Sequence, residues 1–245
     1  MPFQLLRHLS KQILLLWQHK VSTKLLPLLS AIRMGGLLLA GFSLWAFAAI
    51  AEEVLEKETN HFDTEILLTL KDLHRPILDR TMLAITTLGN PDISIGVCVG
   101  VTIGLLIGHR RAQATTLAIA GLGAVVLNYW LKDLFARARP TLWERIVDVR
   151  SYSFPSGHAM ISLVIYGAIG YLLASQFRRQ SRLIFTLTIL LISAIGFSRL
   201  YLGVHWPTDV IAGYAAGLVW LLACILSWEV WKSRKSADII SQDLD

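Results

Sequence analysis

Charge is scarce in this chain. Only 16% of its 245 residues are Asp, Glu, Lys or Arg, where soluble domains average about 25%. Hydrophobic residues make up 54%, so an ordinary water-soluble domain is excluded and a membrane protein is expected. Cysteine is almost missing. Cys98 and Cys224 both lie in apolar runs and read as small buried hydrophobes. With no CxxC and no Cys/His cluster, no metal site is expected and the redox compartment is not legible. The net charge of +6 comes without a basic patch interleaved with aromatics, which argues against a nucleic-acid partner. No small-residue cleavage site follows a compact apolar core near the N-terminus, so a removable signal peptide is not expected. Neither an internal repeat nor a low-complexity linker divides the chain.

What is present is a series of long apolar segments. Spanning a bilayer as a helix takes about 20 mostly apolar residues. Six segments approach this: about Met34–Ala51, Pro91–Ile107, Thr115–Leu131, His158–Ser175, Leu183–Phe197 and Pro207–Trp228. The second begins with Asn90 as N-cap and Pro91 as first helical residue, leaving 81–89 as a short shoulder. The expected fold is all-α: a polytopic bundle of six transmembrane helices over 34–231, with a cytoplasmic tail at 232–245. Before it, residues 1–33 carry Arg7, Lys11, Lys20, Lys24 and Arg33 and no acid. They read as a basic interfacial segment on an anionic leaflet or, equally, as a partly disordered tail. In 52–80, Ile66, Leu67, Leu70 and Leu73 recur near helical spacing and predict an amphipathic helix lying on the bundle. The connections at 108–111 and 176–182 are basic and free of acid. By the positive-inside rule, both termini are then cytoplasmic. Tyr129, Trp130, Trp143, Tyr201 and Trp206 fall near the outer interface.

In this arrangement 52–80, 132–157 and 198–209 share the outer side, and the last two hold most of the suggestive chemistry. Lys132 and Arg139 are seven apart. If the third span continues through them, they share an azimuth two turns apart, with Pro140 ending the extension. Alone, they read equally as snorkelling cations at a helix end. Phe154-Pro155-Ser156-Gly157-His158 follows. Ser156 suits an N-cap, Gly157 admits a ligand to the backbone, and His158 sits in the first turn of a helix, where free N–H groups favour an anion. A plain cap explains Ser156 as well. The last stretch holds Arg199, His205 and Asp209, with Pro207 starting the sixth span. Arg can grip an anion, His can attack or move a proton, and Asp can fix the His tautomer. A polar loop between two spans is the bland alternative.

Together these segments resemble the type 2 phosphatidic acid phosphatase (PAP2) superfamily, the lipid phosphate phosphatases. Its motifs, K-x6-R-P, P-S-G-H and S-R-x5-H-x3-D, stand here as Lys132…Arg139-Pro140, Pro155-Ser156-Gly157-His158 and Ser198-Arg199…His205…Asp209. Every specified position matches, in order. The resemblance implies a PAP2-type helical bundle and a phosphatase that needs no metal or other cofactor and works through a phosphohistidine. It assigns His205 as nucleophile, Asp209 as its orienting acid, and His158 as the group that protonates the leaving oxygen and later activates water. Lys132, Arg139, Arg199 and the backbone at Ser156 and Gly157 would hold the phosphoryl oxygens. A bell-shaped pH profile is expected, with His205 neutral and His158 protonated. The implied partners are membrane lipids and a lipid phosphate or diphosphate: phosphatidic acid, phosphatidylglycerol phosphate or undecaprenyl diphosphate. The implied place is a bacterial inner membrane, with the site on the periplasmic face. Other readings are phosphotransfer to an acceptor other than water, a haloperoxidase-like vanadate site, a lipid transporter, and a structural protein with fortuitous motifs. Six spans argue against the soluble haloperoxidases, and spans without internal charges argue against a transport path.

Overall fold

The computed structural model describes residues 31–143, 147, 149 and 151–242. Regular structure among them is helical throughout. In chain order the helices are α1 (Ala31–Glu56), α2 (Asn60–Lys71), α3 (Pro76–Leu88), α4 (Pro91–Ile107), α5 (Arg111–Phe135), α6 (Gly157–Gln176), α7 (Ser181–Tyr201) and α8 (Pro207–Gln242), with a 3₁₀ turn at Arg178–Gln180 before α7. Five helices, α1 and α5 to α8, are long and apolar enough to cross a membrane, and a sixth crossing results if α3 and α4 act as one bent span. Their outward faces carry large apolar side chains in the open, among them Trp45 on α1, Leu122, Val126 and Trp130 on α5, and Leu187, Ile189 and Leu190 on α7. Acyl chains can cover such a surface and water cannot.

The short shoulder expected at 81–89 is instead the second half of a full helix, α3. Proline starts both α3 and α4 in the first turn, where its missing N–H costs nothing. Between them the chain bends by 46° at Gly89-Asn90. The amphipathic helix expected within 52–80 is α2, Asn60–Lys71, set between the end of α1 at Glu56 and the start of α3 at Pro76. Leu67 is fully buried, whereas Leu73 lies beyond α2 and is exposed. Tyr201, expected at a membrane interface, is buried and stacks on His74 with ring centroids 4.5 Å apart. The helix that carries the sixth span, α8, continues past Trp228 to Gln242. Of the basic segment 1–33, all but the last three residues lie outside the described part.

Residues 40–225 form one compact unit. Its main core lies where α4, α5, α6 and α8 meet, around Cys98, Leu117, Ala120, Ala124, Ile161, Ile165, Ala168 and Leu221. Alanine and cysteine alternate there with Leu and Ile, and small residues let the helices approach closely, which in a membrane depends on dispersion contacts rather than on exclusion of water. A second unit joins the chain before residue 40 to the chain after 225. In it Arg33 donates to the Glu229 carbonyl at 3.1 Å and to the Ser233 hydroxyl, and Trp228 stacks on Trp231.

Candidate active site

The polar side chains of the larger unit gather where α5 ends and α6 and α8 begin. Lys132, in the last turn of α5, is buried. The helix stops at Phe135, so the expected azimuthal pairing of Lys132 with Arg139 along one helix is not what joins them. Ala136 takes a left-handed conformation at φ 45°, which is costly for a residue with a side chain, and turns the chain sharply. The loop beyond then carries Arg139 back. Lys132 Nζ and Arg139 Nη2 both donate to the Tyr152 carbonyl. The two cations therefore converge on one oxygen from different backbone elements.

Arg139 also reaches His205. Its Nη1 donates to the Val204 carbonyl at 2.6 Å and lies 3.2 Å from His205 Nε2. A guanidinium only donates, so Nε2 is the unprotonated nitrogen and Nδ1 carries the proton. Nδ1 faces Asp209 Oδ2 at 3.3 Å. His205 is 1% exposed. Burial, and after it the positive charges of Arg139, Lys132 and Arg199, hold its imidazole well below its usual 6.5, against a smaller opposing effect of a Ser153 hydrogen bond. A neutral ring with an unprotonated Nε2 is the form able to attack.

Asp209 sits in the first turn of α8, fully buried, and both its oxygens are occupied. Oδ2 accepts from the Ser153 hydroxyl and from the Trp206 N–H at 2.8 Å; Oδ1 accepts from Arg137 Nη1 at 2.7 Å. Its backbone carbonyl accepts the Ser156 N–H at 2.9 Å, which ties the start of α8 to the start of α6. Ser156 is the N-cap of α6, its hydroxyl accepting from Ala159 N at 3.5 Å. A Cβ on Gly157 would lie 2.9 Å from Asn128 Oδ1 and 3.8 Å from Lys132 Cε. The glycine is thus required for close packing on α5, beside Lys132.

His158 follows in the first turn of α6. Its Nε2 lies 2.8 Å from Asn90 Oδ1. Asn90 does occupy the N-cap position of α4, but its side chain makes no cap bond. An amide oxygen only accepts, so the Nε2 proton of His158 is committed to Asn90 and Nδ1 is the nitrogen left for exchange. Arg199, at the end of α7, is 2% exposed. Its Nη1 donates to Thr86 Oγ1 of α3 at 2.6 Å, while its Nε is buried with no hydrogen-bond partner. A buried unsatisfied donor on a charged group is costly, and a bound anion would relieve it.

Arg137, Asp63, Ser153, Asn90 and Thr86 had escaped sequence reasoning. Asn90 was read as a cap, and Arg137 lies between the two specified residues of the first motif. The signal for Asp63 was present: it stands four residues before Leu67, so an acid lies on the buried stripe of α2.

The chain is similar to known proteins. A model of the PAP2 superfamily matches residues 112–233. Phosphatidylglycerophosphatase B of Bacillus subtilis (strain 168) is 30% identical over 151 residues, 60% of this chain and 73% of that protein. An undecaprenyl-diphosphatase of Sulfolobus acidocaldarius is 38% identical over 127 residues, 49% of this chain and 58% of that protein. Among solved structures, a transmembrane PAP2-type phosphatidylglycerolphosphate phosphatase from Bacillus subtilis superposes with a TM-score of 0.68 at 26% identity, covering 77% of this chain and 93% of its own.

Proposed function

The chain belongs to the PAP2 superfamily and is a hydrolase of phosphoric ester bonds, and from that premise we propose that it cleaves a lipid phosphate or diphosphate through a phosphohistidine at His205. Nε2 of His205 attacks phosphorus in line. Asp209 accepts the Nδ1 proton's hydrogen bond and stabilises the ring as positive charge develops on it. His158 gives a proton to the departing oxygen, then takes one from the water that cleaves the N–P bond, releasing phosphate and restoring His205. Lys132, Arg139, Arg199 and the first-turn N–H groups of α6 from Gly157 onward hold the phosphoryl oxygens, while Ser156 caps that helix and gives its own N–H to the Asp209 carbonyl. The carrying observation is the pairing of His205 Nε2 with Arg139 and of Nδ1 with Asp209: one nitrogen is unprotonated and sits against a phosphate-binding cation, and the other is held.

Positioned cations do the neutralising that Mg²⁺ performs in other phosphoryl-transfer sites. Both oxygens of Asp209 are already engaged by protein donors, which leaves it poorly suited to a divalent ion. Activity should therefore survive EDTA. Six crossings with both termini cytoplasmic would put the ends of α5 and α7 and the starts of α6 and α8 at the outer face of a bacterial inner membrane. A headgroup could settle there among the cations while its tail stays between helices. The names of the relatives favour phosphatidylglycerol phosphate and undecaprenyl diphosphate among the candidates.

The test offers detergent-purified protein phosphatidic acid, phosphatidylglycerol phosphate and undecaprenyl diphosphate in turn, and measures released phosphate. At least one should be cleaved by the parent chain and none by His205→Ala. Turnover by His205→Ala equal to that of the parent would overturn the assignment.

A further inference from the structure

Asp209 is held more firmly than its contact with His205 alone requires. The holding group on its far oxygen is Arg137, which occupies no specified motif position. Arg137 Nη1 donates to Asp209 Oδ1 at 2.7 Å and to Thr208 Oγ1 at 2.8 Å. Its Nη2 donates to Asp63 Oδ2 at 2.7 Å and to Thr59 Oγ1 at 3.1 Å. Asp63 is fully buried on α2, a helix that carries no motif residue. It reaches α8 as well: Thr208 N donates to Oδ1 at 3.0 Å and the Thr208 hydroxyl to Oδ2 at 2.7 Å. The ring of Trp206 covers the guanidinium, with its centroid 5.5 Å from Cζ.

A carboxylate that must aim one oxygen at an imidazole keeps that aim best when both its oxygens are held; the Ser153 hydroxyl and the Trp206 N–H hold Oδ2, and the other oxygen needs a fixation of its own. Arg137 supplies that fixation. Its planar fork is pinned by two acids at its two ends, so it can neither slide nor turn. Asp63 also bonds the backbone of the very turn that carries Asp209. A buried ion triad is weak evidence for stability, because desolvation offsets much of the attraction; fixing a geometry is its better-attested use.

We propose that Asp63 and Arg137 are positioning residues that set the orientation of Asp209 towards His205. This rests on the reading of His205 and Asp209 given above. Neither residue touches the phosphate; both act through Asp209.

The full chain in detergent, with short-chain phosphatidic acid as the probe, tests this. Asp63→Asn and Arg137→Lys should each lower kcat by about a hundredfold, as small misplacements in a catalytic array do, with KM changing less than about threefold. Arg137→Lys should retain more activity than Arg137→Gln. In an Asp209→Asn background either substitution should cost less than about twofold, because its target is already gone. Equal losses in both backgrounds, or a raised KM at unchanged kcat, would overturn the proposal. So would loss of the fold in all three variants, followed by thermal unfolding, since that assigns the triad to stability alone. If His205→Ala remains active, the underlying reading has failed; if it is dead while Asp63→Asn is unimpaired, only the positioning role has.

Discussion

At the scale of single residues, the decisive property is the neutrality of His205. Its pKa lies well below the ordinary 6.5 because the ring is buried beside cations. In the folded chain it therefore stays unprotonated through mildly acid pH, whereas in the unfolded chain it takes up a proton near 6.5. The unfolded state binds more protons below that point, so this group's contribution makes the fold less stable as pH falls through it. For catalysis the same shift moves the acid limb of kcat/KM below 6.5, and a pH profile from about 5 to 9 should show it. An acid limb centred at or above 6.5 would contradict the buried neutral ring. Arg199 offers a second test. Lysine keeps the charge but has no Nε–H and no fork, so Arg199→Lys should raise KM or lower kcat by about tenfold or more, a loss of one charge-assisted hydrogen bond. The motif residues were legible as types and spacings, and the chain brings Lys132, Arg139, His205 and Asp209 together as a set. The residues behind them were not, because a partner on another helix leaves no local pattern. Asp63 was visible only as an acid on an apolar stripe, and Arg137 only as an arginine with no stated task.

At the scale of elements, two breaks matter more than any regular helix. One is the end of α5. The seven-residue spacing puts Lys132 and Arg139 on one azimuth only if the helix continues through both, and nothing in the sequence between Leu134 and Ala138 contains the glycine that usually announces a left-handed turn. Ala136 makes that turn without one, which is why the azimuthal argument failed even though Lys132 and Arg139 still converge. The other is the bend between α3 and α4. The carbonyl of Leu88, freed at the bend, accepts from Tyr166 Oη at 2.5 Å and from Ser94 Oγ at 3.3 Å, so the break leaves no buried acceptor unpaired at that carbonyl. Gly89 allows it: a Cβ there would run into Ile195 and lie 3.1 Å from His158 Cδ2. Gly89→Ala should therefore destabilise the protein by about 1–3 kcal/mol through overpacking, seen in thermal unfolding, and should also lower kcat because the displaced group is beside His158. Sequence reading placed this helix start correctly and missed its purpose, since Asn90 as cap and Asn90 as His158 partner look alike in a string of letters.

At the scale of the whole molecule, hydropathy made the helical membrane fold plain, and charge asymmetry suggested its orientation. The number of crossings was harder to read, because α4 alone is 17 residues, below the roughly 20 a span needs, and α3 supplies the rest only across a bend. The proposed orientation can be checked with cysteine labelling, since both native cysteines are buried. Glu58→Cys, at the connection after α1, should react with a membrane-impermeant thiol reagent in intact cells. Arg179→Cys, in the 3₁₀ turn before α7, should react only after permeabilisation. The reverse pattern would invert the topology and move the site to the cytoplasmic face.

The meeting of Lys132 and Arg139 on a single carbonyl, with Arg199 nearby, has a further kinetic consequence. In the proposed reaction these cations hold non-bridging oxygens, which are the same in the ester and in the orthophosphate it yields. From a phosphate monoester the lipid product leaves as an alcohol with no phosphate for the cations to grip, whereas orthophosphate leaves against every contact that drew the substrate in. Inorganic phosphate should accordingly be a competitive inhibitor, and progress curves should bend as it accumulates. Scavenging it enzymatically during the assay should straighten them.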